Sequence, residues 1–540
     1  MPVLHNSYDP ATERLGETRD ADGQPTRFAH GFDAPDIPNN LSLVTDRLGN
    51  RTVYGFDGRG NVTQTTRYLR LPGGTERQIT TTSAYGDPNA PDSPTAVTDA
   101  LGRTMRFAYD ATGYPAAIRD ALDNAVSVTY DAKGAPLTVT DALGNATTKT
   151  YDAAGNLLTR TDAAGHVTTQ TYLPGGLLAT ASESVTVDGV ATTYTRAYTY
   201  DGVGRVKSDT DPQGHTVTYD YDANGNRVAE SLPRTKADGT VETVVTRYVY
   251  DRENRLIQTI RPDNSTSTTV YGRDGRVEKR IDTANRVTQF FYDLQGRQTS
   301  VKGPDGVQAF TVYDTEGRLY RTTSPRGLIS ESVYDSLNRV VKMRKRDSNR
   351  TGPDGQPLLL DETSVAYDDA GQVTSTTDER NHTTHYTYDA TGRSETVTDA
   401  LNQLTRQFYD AMGRRTRVVD ALNQATRFEY DELGRQYKTV NALGQETTAE
   451  FDETGRVVAR TDAAGRVTRM TYDGLNRLVK ATYPNVGYGV TYTYDEVGNK
   501  ITQTDANSHT TRFAYDSLGR VVRREMPMGQ TESVTYRLKV

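Results

Sequence analysis

The chain has 540 residues, with 63 Lys and Arg against 70 Asp and Glu, and a net charge of −7. Its basic residues are scattered singly among acidic ones, which excludes the electrostatic footprint of a DNA- or RNA-binding protein. Cysteine is absent, excluding disulfides, thiolate nucleophiles and Cys-ligated zinc. No apolar run approaches a membrane span, and the first twenty residues lack the charged and hydrophobic regions of a signal peptide.

Along the chain, residues 1–50 read as a divergent segment leading into an array, with Phe32 a doubtful first beat. From residue 51 to 540 an aromatic residue, almost always followed by Asp, returns with a 21-residue period. The unbroken runs are Tyr109, Tyr130, Tyr151 and Tyr172; Tyr250, Tyr271, Tyr292, Tyr313 and Tyr334; and Tyr367, Tyr388, Tyr409, Tyr430, Phe451 and Tyr472. Small insertions shift the beat, which resumes at Phe56, Tyr85, Tyr200, Tyr221, Tyr494, Tyr515 and Tyr536. About 22 copies of one unit predict a stacked array, a single elongated body in place of the several domains that length alone would suggest.

Tyr151 to Thr171, YDAAGNLLTRTDAAGHVTTQT, shows the unit. Its fifth position is Gly at 60, 113, 134, 155, 176, 204, 225, 275, 296, 317, 371, 392, 413, 434, 455, 498 and 519, and Asn at 89, 254, 338 and 476. Gly and Asn enter left-handed backbone space at low cost, so Gly113, Gly134, Gly155, Gly225, Gly296, Gly392, Gly434, Gly519 and their equivalents predict a turn with positive φ in every copy. A segment rich in Thr, Val and Arg follows and reads as a strand. A second turn, T-D-A-x-G or T-D-A-x-N, comes next, as in Thr98–Gly102, Thr140–Gly144, Thr161–Gly165, Thr398–Asn402 and Thr461–Gly465. Its Asp is expected to accept a backbone N–H two residues on. A second strand then leads into the next Tyr, so each copy is a hairpin and the chain an all-β antiparallel meander.

Tyrosines in one register form a ladder roughly 9–10 Å apart, two strands between neighbours. The members are Tyr109, Tyr130, Tyr151, Tyr200, Tyr221, Tyr250, Tyr292, Tyr313, Tyr334, Tyr388, Tyr409, Tyr430, Tyr472 and Tyr515. Their expected role is packing, with Val and Leu filling the gaps and each hydroxyl reaching a polar group near the turn. An aromatic platform for sugars or bases is the weaker reading.

The YDxxGR-[VL] unit, joined by TDAxG, resembles the Rhs/YD-repeat family, which includes bacterial Rhs polymorphic toxins, the B and C components of insecticidal toxin complexes, and the teneurin shell. The resemblance covers about residues 50 to 540. It implies a meander spiralling as a strip into a hollow β-shell that, in bacterial members, encloses a toxin domain. On that basis the chain is expected to be a non-enzymatic scaffold enclosing a toxin or effector polypeptide, in the same full-length chain or separate. Secretion-apparatus components and further shell segments are other expected partners. Localisation is expected to be bacterial, exported or cell-surface by a specialised secretion route and cytoplasmic before export. The family's DPxGLxGG segment is absent, and the array stops four residues into a copy, as in a shell without cargo. At ~4.8 Å per strand the strip is on the order of 210 Å long. Rolled at an assumed diameter of about 50 Å it makes a little over one round, an open or partial shell. The competing reading is a cell-surface adhesion or carbohydrate-binding module.

No catalytic, cofactor or metal constellation emerges. His166, His215, His382 and His509 share one slot of their copies and are therefore spread along the sheet, while His382 and His385 are placed on opposite faces. The many Asp residues fall in turns. No nucleophile elbow, phosphate loop or dinucleotide fingerprint is present. Insertions near 68–94, 173–198, 231–247, 345–363 and 483–490 are the places for specific binding. Among them Asp347, Asn349 and Asp354 offer a weak calcium pattern lacking the glutamate of an EF-hand.

Overall fold

The computed structural model describes residues 5–8, 15–19, 25–30, 41–46, 49–71, 75–187, 190–236, 239–484 and 489–536. Among these there is no helix. Forty-seven strands, from His5–Tyr8 to Thr531–Ser533, belong to one sheet. Each pairs antiparallel with its sequence neighbour, and the sheet does not close. Phe32 and the insertion tips 72–74, 188–189, 237–238 and 485–488 lie outside the described residues.

Both turn types have one geometry. At the first, Asp152 N donates to Asn156 O (2.9 Å) and Gly155 N to Asp152 O (3.0 Å); at the second, Asp141 N donates to Asn145 O and Gly144 N to Asp141 O. This is a tight turn closed by a left-handed residue. Gly155 has φ 94° and Gly144 φ 89°. Every fifth position named above has positive φ except Asn89. Pro88, Pro91 and Pro94 reorganise that insertion into two successive turns, with Ala90 N on Asp87 O and Ser93 N on Ala90 O, so no left-handed residue is needed at 89.

The two edges of the strip differ. At the Tyr-Asp turns the register slips by one residue: Thr150 pairs with Thr159 but Tyr151 with Leu157. At the Thr-Asp turns it runs straight, Thr159–Thr169 to Thr161–Val167. The bulge recurs unit after unit, at Tyr130, Tyr172, Tyr292, Tyr409 and Tyr515 among others. One extra residue per unit on one side increases twist and bends the strip, which is the physical source of its coiling.

The coil is read from contacts between residues 261 to 282 positions apart. Arg70 N bonds Ser336 Oγ (2.9 Å), Thr186 N bonds Glu453 Oε2 (3.1 Å), Thr235 N bonds Glu496 Oε2 (2.5 Å), and Arg477 Nη2 bonds Gln213 Oε1 (2.9 Å). Arg234 Nη1 donates to Asp516 O (2.7 Å), and Arg103 to Gln372. In each pair the earlier residue sits at the Thr-Asp edge and the later at the Tyr-Asp edge. The strip therefore winds over itself, edge to edge, with roughly 24 strands per round, about 115 Å around at ~4.8 Å each. This corrects the expectation of a little over one round. Forty-seven strands make nearly two, because the round is shorter than the assumed 50 Å diameter allowed.

Candidate functional site

The wall of this coil is built from a repeated clasp. In the unit at 451, Asp452 Oδ1 accepts the N–H groups of Thr454 (3.0 Å) and Arg456 (2.9 Å), and Oδ2 accepts Arg456 Nε (2.6 Å). Where Asn replaces Arg the arrangement persists: Asn156 N and Nδ2 both donate to Asp152, each at 2.8 Å. Hydrogen bonds to the ionised carboxylate lower its pKa. The Asn156 side chain is the main cause holding Asp152 below the usual carboxylate range, and the Arg255 side chain does the same for Asp251.

The same Arg reaches forward. Arg456 Nη1 donates to Asp473 O (3.0 Å), and its guanidinium lies over the Tyr472 ring at 5.2 Å. Arg297 covers Tyr313 (4.8 Å), Arg318 Tyr334 (4.4 Å), and Arg414 Tyr430 (4.8 Å). The guanidinium thus joins one turn to the next ring by charge and by cation–π attraction. At Gly296 the guanidinium of Arg276 lies where a Cβ would be, 2.3 Å from Nη2; the mobile arginine end could move aside, so it is φ 87° that calls for glycine. Sequence reading assigned the gaps in the ladder to Val and Leu and gave this Arg no role. Its recurrence directly after the turn glycine is the signal that was there to find.

The tyrosine hydroxyls complete the wall. Tyr109 donates to Pro94 O, Tyr130 to Pro115 O, Tyr151 to Pro136 O, Tyr200 to Leu178 O, Tyr221 to Val206 O, Tyr250 to Arg227 O and Tyr292 to Val277 O. Tyr313 donates to Gln298 O, Tyr334 to Leu319 O, Tyr388 to Val373 O, Tyr409 to Ser394 O, Tyr430 to Arg415 O, Tyr472 to Val457 O and Tyr515 to Lys500 O. Distances run from 2.7 Å at Tyr388 to 3.1 Å at Tyr250. The acceptor usually belongs to the residue facing the previous Tyr at the bulge: Pro136 pairs with Tyr130 and accepts from Tyr151. The hydroxyl thus supplies a donor to a carbonyl beside the ladder irregularity. Burial pushes the Tyr388 and Tyr515 hydroxyls up.

The seam between rounds holds much of what is buried. Val185 is 1% exposed, Leu69 7% and Ile79 8%, all on lengthened hairpins of the first round. The Arg234 side chain, 5% exposed, joins Glu242 on its own hairpin and Asp516 across the seam. Arg77 pairs with Asp369 at 2.6 Å. A Cβ on Gly474 would lie 2.8 Å from the Tyr194 ring, so the two rounds meet there with no room to spare.

The histidines do not converge. Each lies beside the Asp four residues earlier: His166 with Asp162, His215 with Asp211, His382 with Asp378 and His509 with Asp505, at 2.9–3.3 Å. Asp347 and Asp354 cap turns through Asn349 N and Gln356 N, while Asn349 Nδ2 bonds Arg326 O. Among the described residues no group of three or more His, Asp or Glu is placed to hold a metal, and no helix is long and apolar enough to cross a membrane.

An unclosed sheet of repeated hairpins, coiled and sealed edge to edge, defines a shell-type β scaffold. Two family models match it: RHS Repeat at residues 130–172, 200–237, 451–485 and 494–531, and Teneurin YD-shell at residues 235–435. Together they cover more than half of the chain, which belongs to the RHS/YD-repeat family. No curated protein matches it. Among solved structures it is similar to TcdB2-TccC3-TEV, with 14% identity, 98% of this chain and 30% of that chain covered and a TM-score of 0.54. It is also similar to TcdB2-TccC3 without the hypervariable C-terminal region, with 14% identity, 98% and 32% covered and a TM-score of 0.52. A third is a Photorhabdus luminescens Tc holotoxin pore, with 14% identity, 97% and 30% covered and a TM-score of 0.50. The likeness is one of fold, and the chain spans about a third of the length of these structures.

Proposed function

We propose that the chain is a non-enzymatic wall that encloses a toxin or effector polypeptide until delivery from a bacterial cell. The sealed seam carries this reading: a strip that winds over itself and locks its edges by hydrogen bonds and ion pairs makes a barrier, where an open ribbon would not. The mechanism is steric. A wall whose backbone groups are paired strand to strand leaves no free sheet edge along the seam for a protease to engage, and cargo inside is kept from targets in the producing cell. In this reading residues 51–540 act as one array with 1–50 as its lead-in. The tyrosines from Tyr109 to Tyr515 and the left-handed glycines are parts of the wall rather than a ligand platform. Similarity to Tc holotoxin components supports a toxin as the cargo class.

The test is co-production with a polypeptide of toxin-domain size encoded beside it, followed by limited proteolysis. Protection of the partner, lost when the seam is opened by Val185→Asp, is the expected result. A partner digested as fast as it is alone overturns the reading.

A further inference from the structure

The tyrosine face of the wall lacks two groups at one place. Every ladder position from Tyr85 to Tyr515 is Tyr except Phe451. The neighbouring hydroxyls each donate to a carbonyl beside the previous bulge, Tyr430 to Arg415 O and Tyr472 to Val457 O. The equivalent acceptor for position 451 is Gln436 O, on the residue opposite Tyr430, and Phe451 has no hydroxyl to give it.

The position two residues earlier is reduced as well. It carries an aromatic ring in Phe107, Tyr219, Phe290, Tyr386, Phe428 and Phe513, among others, but only a methyl in Ala449. Alternation along the strand puts 449 and 451 on one face, and Arg460 stands directly opposite Ala449. Arg280, at the same place in its own copy, covers the Phe290 ring at 5.4 Å. Arg460 has Met470 where Arg280 has Phe290; it is exposed and, among the described residues, makes no ion pair, side-chain hydrogen bond or ring contact. At this place the wall holds a groove of about 580 Å³, lined by Gln436, Ala449, Phe451, Val457 and Arg460 together with polar groups that include Thr447 and Thr468. That volume lies within the range of small-molecule sites.

We infer that this groove binds a phenol, its ring on Ala449, its hydroxyl donating to Gln436 O and the Arg460 guanidinium over its face. The two groups that the repeat lacks here, a ring and a hydroxyl, are the two parts of that ligand. Gln436 and Arg460 lie on strands two apart, roughly 10 Å across the sheet, a gap that a hydroxylated ring and the Arg460 side chain fill between them. The guanidinium gains cation–π attraction to the ring. A tyrosine side chain of another polypeptide and a free phenolic acid present this same chemistry, and the acid adds a carboxylate for Arg460. A ring without the hydroxyl leaves Gln436 O without its donor and loses that part of the affinity.

Ligand-observed NMR titration of the whole chain tests this, independently of any cargo. The probes are N-acetyltyrosinamide and 4-hydroxyphenylacetate, each beside its hydroxyl-free counterpart, N-acetylphenylalaninamide or phenylacetate. At least one phenol is expected to bind saturably at one site, with a Kd of about 1 mM or tighter, and at least about tenfold more tightly than its counterpart. Binding of the amide alone assigns the site to a tyrosine side chain, and binding of the acid alone assigns it to a free phenolic acid. Ala449→Phe and Phe451→Tyr restore residues that other copies carry, so both variants are expected to keep the circular dichroism spectrum and melting temperature. Ala449→Phe fills the groove and is expected to abolish binding. Phe451→Tyr gives Gln436 O its own donor and is expected to bring the phenol down to the affinity of its counterpart. Phenols that never saturate overturn the inference. So does a phenol bound no better than its counterpart, or binding that both variants leave unchanged.

Discussion

Two lengthened hairpins of the same build end in different surroundings. Leu177–Val187 with Val190–Tyr200 belongs to the first round and meets the second: Val185 is buried, and Thr186 N bonds Glu453. Val340–Thr351 with Pro357–Tyr367 belongs to the second round, on its open Thr-Asp edge. Its stabilising contacts stay within its own round. Lys342 and Arg344 pair with Glu362, Lys345 with Asp361, and Arg346 with Glu331 of the neighbouring strand. A long hairpin is therefore not in itself a binding loop. Against another edge it borrows burial from the next round, and without one it is braced by cross-strand charge, which contributes less per pair because water screens it.

The largest effect expected from this contrast is at Val185. Val185→Asp places a carboxylate where exposure is 1%, and unfolding free energy is expected to fall by about 3 kcal/mol or more. Met343→Asp on the open hairpin, at a residue 54% exposed, is expected to change it by less than about 0.5 kcal/mol. Urea unfolding of the two variants makes the comparison, and equal losses would mean the seam contributes nothing special. Next comes a matched pair of glycines at the third position of the Tyr-Asp turn. Gly474→Ala drives a methyl into the Tyr194 ring, whereas a Cβ at Gly202 meets nothing within 4 Å. The first is expected to cost about 1–3 kcal/mol and the second to be neutral or slightly stabilising.

The open edge also carries a substitution that should help. Ser508 occupies the left-handed position of its Thr-Asp turn at φ 66°, where an L side chain is disfavoured. Ser508→Gly is expected to raise stability by about 0.5–1 kcal/mol, read as an increase in melting temperature. No loss at the seam should accompany it.

What was legible in the sequence was whatever repeats within 21 residues. Gly or Asn at a fixed place announces a left-handed turn, and segments rich in β-branched Thr and Val announce the strands beside it, so the meander can be read directly. The Asp–Arg clasp is spelled out as Asp-x-x-Gly-Arg, but each Arg, taken alone, reads as a solvated strand residue. The seam was not legible. It joins Thr186 to Glu453 and Tyr194 to Gly474, pairs with no shared local pattern. Which residues meet depends on twist accumulated over some 24 strands, so a small change per bulge moves the partner by a whole unit. Asn89 failed for a local reason: three prolines impose a loop that the period does not foresee.

The smallest expected effect separates the seam from the rest of the wall by pH. Burial pushes the Glu453 carboxyl up, but hydrogen bonds from its own N–H and from Thr186 outweigh this and hold it below its usual value. Glu496 behaves alike, with Thr235 as donor. A carboxylate whose pKa is depressed by folding contributes stability that is present above its unfolded value, near 4.3, and is lost as pH falls through the folded value. The seam should therefore loosen below about pH 4, while protons exchanging at its hydrogen-bonded amides report the opening. Glu453→Gln keeps an oxygen to accept from Thr186 N and removes the titration. At neutral pH it is expected to cost less than about 1 kcal/mol, and the acid-dependent rise in exchange at Thr186 should flatten. If exchange there still rises with acid as in the unsubstituted protein, the many turn aspartates, held low by the same kind of bonds, govern acid opening and the seam follows the wall.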